Sequence, residues 1–290
     1  MTLPSRLLRK NDIFPRKDFG QNFLNCKETA RKIIKKTGIT KDDIVLEIGS
    51  GLGALTIEAA ENAEKVYAVE KDCRLIDLLQ GEIDRSGQTN VEIMCKDIIK
   101  LDIEKIVQAE GKKLVILGNL PYNISSQILF RLVEKRRFIK RAYLMFQLEL
   151  ANRITAVPGG KNYSRLSAVM QYCSAVTPVA DIKPNLFFPK PAIQSRVIEV
   201  LFFEKKECSR EKEKFLFTVI KAAFSKRRKT LKNSLAGEDL SISREEADTI
   251  LKIAGIDSVR RGETVNVEEF VTLAKAAWNF SRAEGQEDKW

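Results

Sequence analysis

In the first half of the chain, short apolar runs alternate with stretches whose apolar residues recur at helical spacing. The runs are Ile44–Ile48, Val66–Val69, Val91–Met94, Leu114–Leu117 and Ala142–Phe146. Their shortness and largely apolar character predict strands. Between them, Leu52–Ala60, Cys73–Gln80, Ile103–Ala109 and Ser125–Val133 predict helices. Such alternation builds an α/β domain around a mostly parallel sheet. Val176–Ile182 and Val197–Phe203 predict two further strands, the second closing the domain. Beyond Phe203 a charged stretch, 204–214, gives way to helical spacing over Phe215–Phe224, Glu245–Ala254 and Val267–Trp278. Gly255 and Gly262 mark turns between these helices. The pattern predicts a boundary near residue 204 and a small helical domain after it. The chain end, from about Arg282, is expected to fray.

Composition narrows the class. The chain has 290 residues, 44% hydrophobic and 31% charged, ordinary values for a soluble globular protein. No apolar run is long enough to span a bilayer, and the N-terminus lacks the apolar stretch of a signal peptide. A cytoplasmic location is therefore expected. The net charge of +11 suits a polyanionic partner, although solubility alone accounts for it equally well. Five cysteines, at 26, 73, 95, 173 and 208, form no C-x-x-C pair and suggest neither a zinc site nor a disulfide framework. Cys95 and Cys173, in or beside apolar runs, are expected to be buried thiols. The chain contains no histidine. That excludes Ser-His-Asp chemistry, histidine bases and histidine-ligated metals, and no metal is expected.

The first candidate site is Val45-Leu46-Glu47-Ile48-Gly49-Ser50-Gly51-Leu52-Gly53-Ala54, a strand, a glycine turn and a helix start. Gly49 and Gly51 let a ligand approach the backbone. Glu70, at the end of the next strand, is placed to accept hydrogen bonds from ribose hydroxyls. This spacing also satisfies a dinucleotide fingerprint, so a nicotinamide oxidoreductase competes. Glu47 favours a cationic ligand over a pyrophosphate. Asp97, after the third strand, is placed to accept from an adenine amine while Ile98 packs on the ring. Glu47 as a surface charge and Asp97 as a helix N-cap are the plainer alternatives.

The second candidate follows the fourth strand: Asn119-Leu120-Pro121-Tyr122. Ligands bind at the C-terminal ends of such strands. An adenine amine is a poor nucleophile because its lone pair is delocalised into the ring. Acceptors around its hydrogens, the Asn119 side-chain carbonyl and the Leu120 backbone carbonyl, favour a pyramidal nitrogen with the lone pair aimed at a methyl donor. Pro121 fixes the backbone and Tyr122 offers a stacking face. The expected chemistry is amine methylation from S-adenosylmethionine, by positioning without a strong base. A bare turn is the alternative. Phe187 or Phe188 is a candidate to close over a flipped base from the opposite side.

These segments bring a family into view. The chain resembles the small-subunit ribosomal RNA adenine dimethyltransferases of the KsgA type. The matching segments are Phe19-Gly20-Gln21-Asn22-Phe23-Leu24, Glu47–Gly53, Asn119–Ser125, Phe187-x-Pro189-x-Pro191 and Arg227–Leu235. Ala192-Ile193-Gln194-Ser195 departs from the family pattern after Pro191. The resemblance implies a Rossmann-like class I methyltransferase domain with a small C-terminal helical domain. It implies a basic arm over 1–25 that contributes to the cofactor site, a methyltransferase domain over 26–204 and an RNA-binding helical domain over 205–290. Cofactor contacts are implied at Asn22, Leu24, Gly49, Glu70, Asp97 and Asn119, beside Gly51 and Ile98 read from the residues, and base stacking is implied at Phe187. The implied reaction is dimethylation of two adjacent adenosines near the 3′ end of small-subunit rRNA, in a pre-ribosomal particle, by a monomer. A non-catalytic assembly factor retaining the fold is the rival within this frame.

Three basic clusters are candidates for phosphate contact: Lys226-Arg227-Arg228-Lys229; Lys135-Arg136-Arg137 with Lys140-Arg141; and Arg6, Arg9, Lys10, Arg16 and Lys17. A solvated charged face is the alternative for each. The run at 226–229 is the one assigned to RNA.

Overall fold

In a computed structural model, residues 2–16, 18–121, 124–204, 209–226 and 228–283 are described. Among the site residues named above, Tyr122 and Arg227 lie outside these, as do Lys17 and the chain end after residue 283.

The elements run α1 (Pro4–Lys10), β1 (Phe23–Leu24), α2 (Lys27–Thr37), β2 (Ile44–Ile48), α3 (Ala54–Ala60), β3 (Lys65–Glu70), α4 (Ile76–Ser86), β4 (Val91–Cys95), α5 (Ile103–Glu110) and β5 (Leu114–Asn119). They continue with α6 (Ser125–Glu134), β6 (Ile139–Gln147), α7 (Leu148–Ile154), α8 (Arg165–Cys173), β7 (Ser174–Ile182), β8 (Phe187–Phe188) and β9 (Ser195–Phe202). The helices α9 (Arg210–Ala223), α10 (Leu231–Leu235), α11 (Arg244–Ile253) and α12 (Val267–Ala283) follow.

The chain divides into two compact units, Met1–Ala151 with Ala175–Phe202, and Asn152–Ser174 with Phe203–Trp290. The first unit is organised on a seven-stranded sheet of order β4-β3-β2-β5-β6-β9-β7. Strands β4, β3, β2, β5 and β6 are parallel, and β9 returns antiparallel to β6. Strand β2 is buried at every position, because a central parallel strand is covered on both faces. Val45, Val115 and Leu117 pack with Ile33 and Ile34 of α2 and Leu55 and Ala59 of α3. On α4, Leu79 and Ile83 meet Ile57 and Ala68.

A separate two-stranded ribbon pairs β1 with β8, antiparallel, Phe23 opposite Phe188 and Leu24 opposite Phe187. Helix α1 folds back so that Leu7 and Leu8 pack with Phe23, Leu52 and Leu75. Neither feature is predicted by local pattern.

The second unit is helical, as expected, but takes in residues 152–174 as well as the chain beyond 202. Aromatic packing is the physical reason. The Tyr163 ring lies 5.9 Å from that of Phe224, and the Tyr172 ring 5.9 Å from that of Phe217. Helix α11 begins with a capping box between Ser243 and Glu246.

The cysteine expectation needs correction. Cys173 is buried, but Cys95 is exposed and disulfide-bonded to Cys73. The pairing of Glu70 with Cys95 across β3 and β4 brings the strand end beside the turn at Cys73. Sequence spacing carries no trace of this contact.

Candidate cofactor and active site

Because β2, β3, β4 and β5 are parallel, their C-terminal ends share one edge of the sheet. A single cavity there is lined by Asn22, Leu24, Gly49, Gly51, Glu70, Asp97, Ile98, Asn119 and Pro121. Every residue assigned to the cofactor from sequence is among these.

After β2 the chain stays close to β3: the Gly49 and Ser50 N–H groups both donate to the Val69 carbonyl, at 2.8 and 3.2 Å. Gly49 and Gly51 adopt φ of +73° and +55°, conformations costly for other residues. A Cβ on Gly51 would lie 3.0 Å from the Phe23 ring, so β1 seats directly over the loop. The bare backbone of this loop fits a ligand that approaches it closely.

Glu70 accepts from the Gly51 N–H on one carboxylate oxygen and from the Asp72 N–H on the other, both at 2.8 Å. Burial pushes its carboxyl up, against the pull of these backbone donors. Each oxygen keeps a second lone pair, which suits a ribose diol. Asp72 is held in turn by Gln21, whose side chain donates to it at 2.8 Å and so anchors the arm.

Asp97 does not cap the next helix, which begins at Ile103 behind Asp102. It accepts from the Ile99 N–H at 2.9 Å and pairs with Lys71 at 2.9 Å. Burial would raise its carboxyl, but the hydrogen bonds from Lys71 and Ile99 hold it below the ordinary value. A charged acceptor beside the buried Ile98 side chain fits an adenine edge and face.

Glu47 also lines this cavity, 2% exposed, and accepts from the Thr56 hydroxyl at 2.5 Å. Burial pushes its carboxyl up to about 8, with Thr56 opposing and Glu70 adding to the rise. It is not a surface charge.

At the end of β5, the Asn119 side-chain nitrogen donates to the Asn22 carbonyl at 2.8 Å. Leu120 is buried and does not line the cavity; its N–H donates to the Met145 carbonyl of β6 at 3.2 Å, fixing the turn. Pro121 lines the cavity. Phe187 and Phe188 do not. Phe187 is 3% exposed and packs with Leu24, Leu117 and Val197, whereas Phe188 is half-buried. The Asn25 N–H donates to the Leu186 carbonyl at 2.9 Å, so the arm and the aromatic segment form one ribbon. Sequence reasoning missed Thr2 and Pro4, which also line the cavity; only the fold-back of α1 brings them there.

Two of the basic clusters are partly spent inside the first unit. Lys140 and Arg141 grip Asp43 at 2.6 and 3.0 Å, and Lys135 and Arg137 pair with Glu104. Arg16 pairs with Asp18 at 2.5 Å. In the second unit Lys226, Arg228 and Lys229 are exposed.

The ribosomal RNA adenine dimethylase family matches residues 14–277. The chain belongs to that family. Its donor is therefore S-adenosylmethionine and its acceptor adenine in ribosomal RNA, on a Rossmann-like class I methyltransferase fold with added C-terminal helices. The oxidoreductase alternative falls with this assignment. This dimethylase is 56% identical over 284 residues to the ribosomal RNA small subunit methyltransferase A of Desulforapulum autotrophicum, covering 98% of this chain and 99% of that one. It is 36% identical to the protein of the same name from Oceanobacillus iheyensis, over 96% of each chain. Among solved structures, a dimethyladenosine transferase from Plasmodium falciparum superposes with a TM-score of 0.74 at 26% identity, covering 89% of this chain and 98% of that one. The 23S rRNA methyltransferase ErmE shares the fold at a TM-score of 0.66 and 23% identity, covering 88% of this chain and 99% of that one. No described helix is long and apolar enough to cross a membrane.

Proposed function

We propose that this dimethylase places two methyl groups on each of two adjacent adenosines near the 3′ end of small-subunit rRNA, as a monomer acting on a pre-ribosomal particle in the cytoplasm. The relatives' names support the subunit, and the net charge of +11 supports a large RNA surface.

The observation that carries the reading is the anchored Asn119 amide on the wall of the cavity that also holds Glu70 and Asp97. When bound, S-adenosylmethionine supplies a methyl carbon activated by its sulfonium. Glu70 holds the ribose hydroxyls, Asp97 takes the cofactor adenine amine, and Ile98 packs on that ring. Asn22, Leu24, Gly49 and Gly51 complete the enclosure. With its nitrogen tied to Asn22, Asn119 turns its Oδ1 toward an incoming adenine amine. The Leu120 carbonyl does not line the cavity, but its peptide bond leads into Pro121 on the cavity wall, and a small turn of that bond lets it accept the second amine hydrogen. Together they pyramidalise the nitrogen and direct its lone pair at the methyl carbon. Tyr122 stacks on the flipped target base. Phe187 closes from the other side, and a base reaches its buried ring only if the β1–β8 ribbon shifts. Lys226, Arg227, Arg228 and Lys229 contact RNA phosphates.

The test incubates the purified protein with labelled S-adenosylmethionine and small ribosomal subunits lacking the modification. Label recovered as dimethyladenosine in adjacent positions of the rRNA supports the proposal. Label absent from adenine, or confined to large-subunit RNA, overturns it.

A further inference from the structure

A cysteine pair that methyl transfer does not use lies close in sequence to Glu70 and Asp97 of the cofactor cavity, though neither cysteine lines it. Cys73 opens the turn that follows Glu70, Lys71 and Asp72, and Cys95 ends β4 two residues before Asp97. Their Cα atoms are 5.5 Å apart and 22 residues separate them in sequence. The bond therefore joins the turn that follows Glu70 to the end of β4, from which the segment carrying Asp97 departs. Both cysteines are exposed, within reach of a soluble thiol. Without the bond, the β3–β4 ladder still pairs Glu70 with Cys95; beyond the ladder, the Lys96 N–H donates to the Glu70 carbonyl at 2.9 Å and the exposed Lys71 pairs with the partly buried Asp97. An ion pair of that exposure contributes little.

We propose that Cys73 and Cys95 form a reversible redox site that sets the affinity for S-adenosylmethionine. The inference rests on reading Glu70 and Asp97 as the nucleoside contacts. Oxidised, the pair holds the two carboxylates at their bound spacing; reduced, that spacing must be restored on binding, at the expense of affinity. Exposed disulfides in a reducing compartment exchange readily, so the site responds to the thiol pool. The reductant is a dithiol. Its thiolate attacks one sulfur and breaks the S–S bond, and the other cysteine leaves as a thiolate that takes up a proton. The second thiol of the reductant resolves the mixed disulfide, releasing the remaining cysteine and leaving the dithiol oxidised.

The experiment titrates S-adenosylmethionine calorimetrically into the full-length protein after treatment with glutathione disulfide, and again after dithiothreitol. Peptide mapping without reduction verifies the link. Reduction is expected to weaken binding roughly three- to tenfold. The variant Cys73→Ser is expected to bind with the reduced protein's affinity under both conditions. By linkage, saturating cofactor must shift the pair's redox equilibrium in glutathione buffer by the same factor. Equal affinity in both states, or no Cys73–Cys95 cross-linked peptide after oxidation, overturns the proposal. Normal binding by Glu70→Ala and Asp97→Ala removes the reading of the cavity and this inference with it. Weak binding by both, with redox-insensitive affinity in the unsubstituted protein, removes this inference alone.

Discussion

The side-chain nitrogen of Asn119 donates to the backbone carbonyl of Asn22 at 2.8 Å, tying the end of β5 to the N-terminal arm. That bond decides which end of the amide faces the substrate. Asn119→Ala removes the acceptor while leaving Glu70, Asp97 and the glycine loop in place. Turnover is expected to fall by about two to three orders of magnitude, with cofactor binding partly retained. Single-turnover methylation beside a cofactor titration checks this, and normal turnover refutes the role given to Asn119.

Glu47 predicts a pH dependence. Its carboxyl is raised from the ordinary 4.5 to about 8 in the folded protein. Between those values the folded state holds a proton that the unfolded state has released. Stability therefore falls as pH rises through this window and levels off above about 8. Glu47→Gln removes the slope, so the variant's advantage in Tm should grow from acid to mildly alkaline pH. Cofactor affinity should move the other way. A cationic ligand favours the Glu47 anion, so binding by the unsubstituted protein should strengthen with rising pH, and binding by Glu47→Gln should be weaker and flatter. Parallel pH profiles for the two proteins would refute the assignment.

The burial of Phe187 separates packing from stacking. Truncation to alanine would open a core cavity and cost roughly 3–5 kcal/mol, masking any catalytic effect. Phe187→Leu keeps much of the apolar volume and removes the aromatic face. It is expected to lower kcat/KM about tenfold with a modest change in Tm, since base–aromatic stacking contributes about 1–3 kcal/mol. Phe188→Leu is the comparison. Full activity in Phe187→Leu with loss in Phe188→Leu would transfer the stacking role to Phe188.

Replacing Lys226, Arg228 and Lys229 by alanine is expected to weaken binding to small-subunit particles without altering cofactor affinity. The slope of log K against log salt should become shallower by about 2–3. Filter binding at several salt concentrations measures this. An unchanged slope would mean these cations do not meet phosphate.

Much of the candidate cavity was legible because its residues stand at strand ends, and strand ends are marked locally. Apolar runs located β2 to β5, and glycines then located the turn after β2. Glu70, Asp97 and Asn119 followed from their positions after β3, β4 and β5. Conversely, Lys140 and Arg141 read as an open basic patch, because nothing near them in sequence announces the buried Asp43 that captures both. Cys95 read as a buried thiol for the same reason.

By itself, the sequence determined the α/β alternation, the helical C-terminal region, the glycine turn, the acidic strand ends and the Asn119–Tyr122 segment, since each is encoded within a few neighbouring residues. Only the tertiary structure decided that α1 folds back onto Phe23 and Leu52, that β1 pairs with β8, that residues 152–174 join the helical unit, that Cys73 meets Cys95, and that Glu47 is buried, with its carboxyl pushed up. Those features depend on strand register and on the burial of side chains from distant parts of the chain, and a local pattern of apolar and polar residues contains neither.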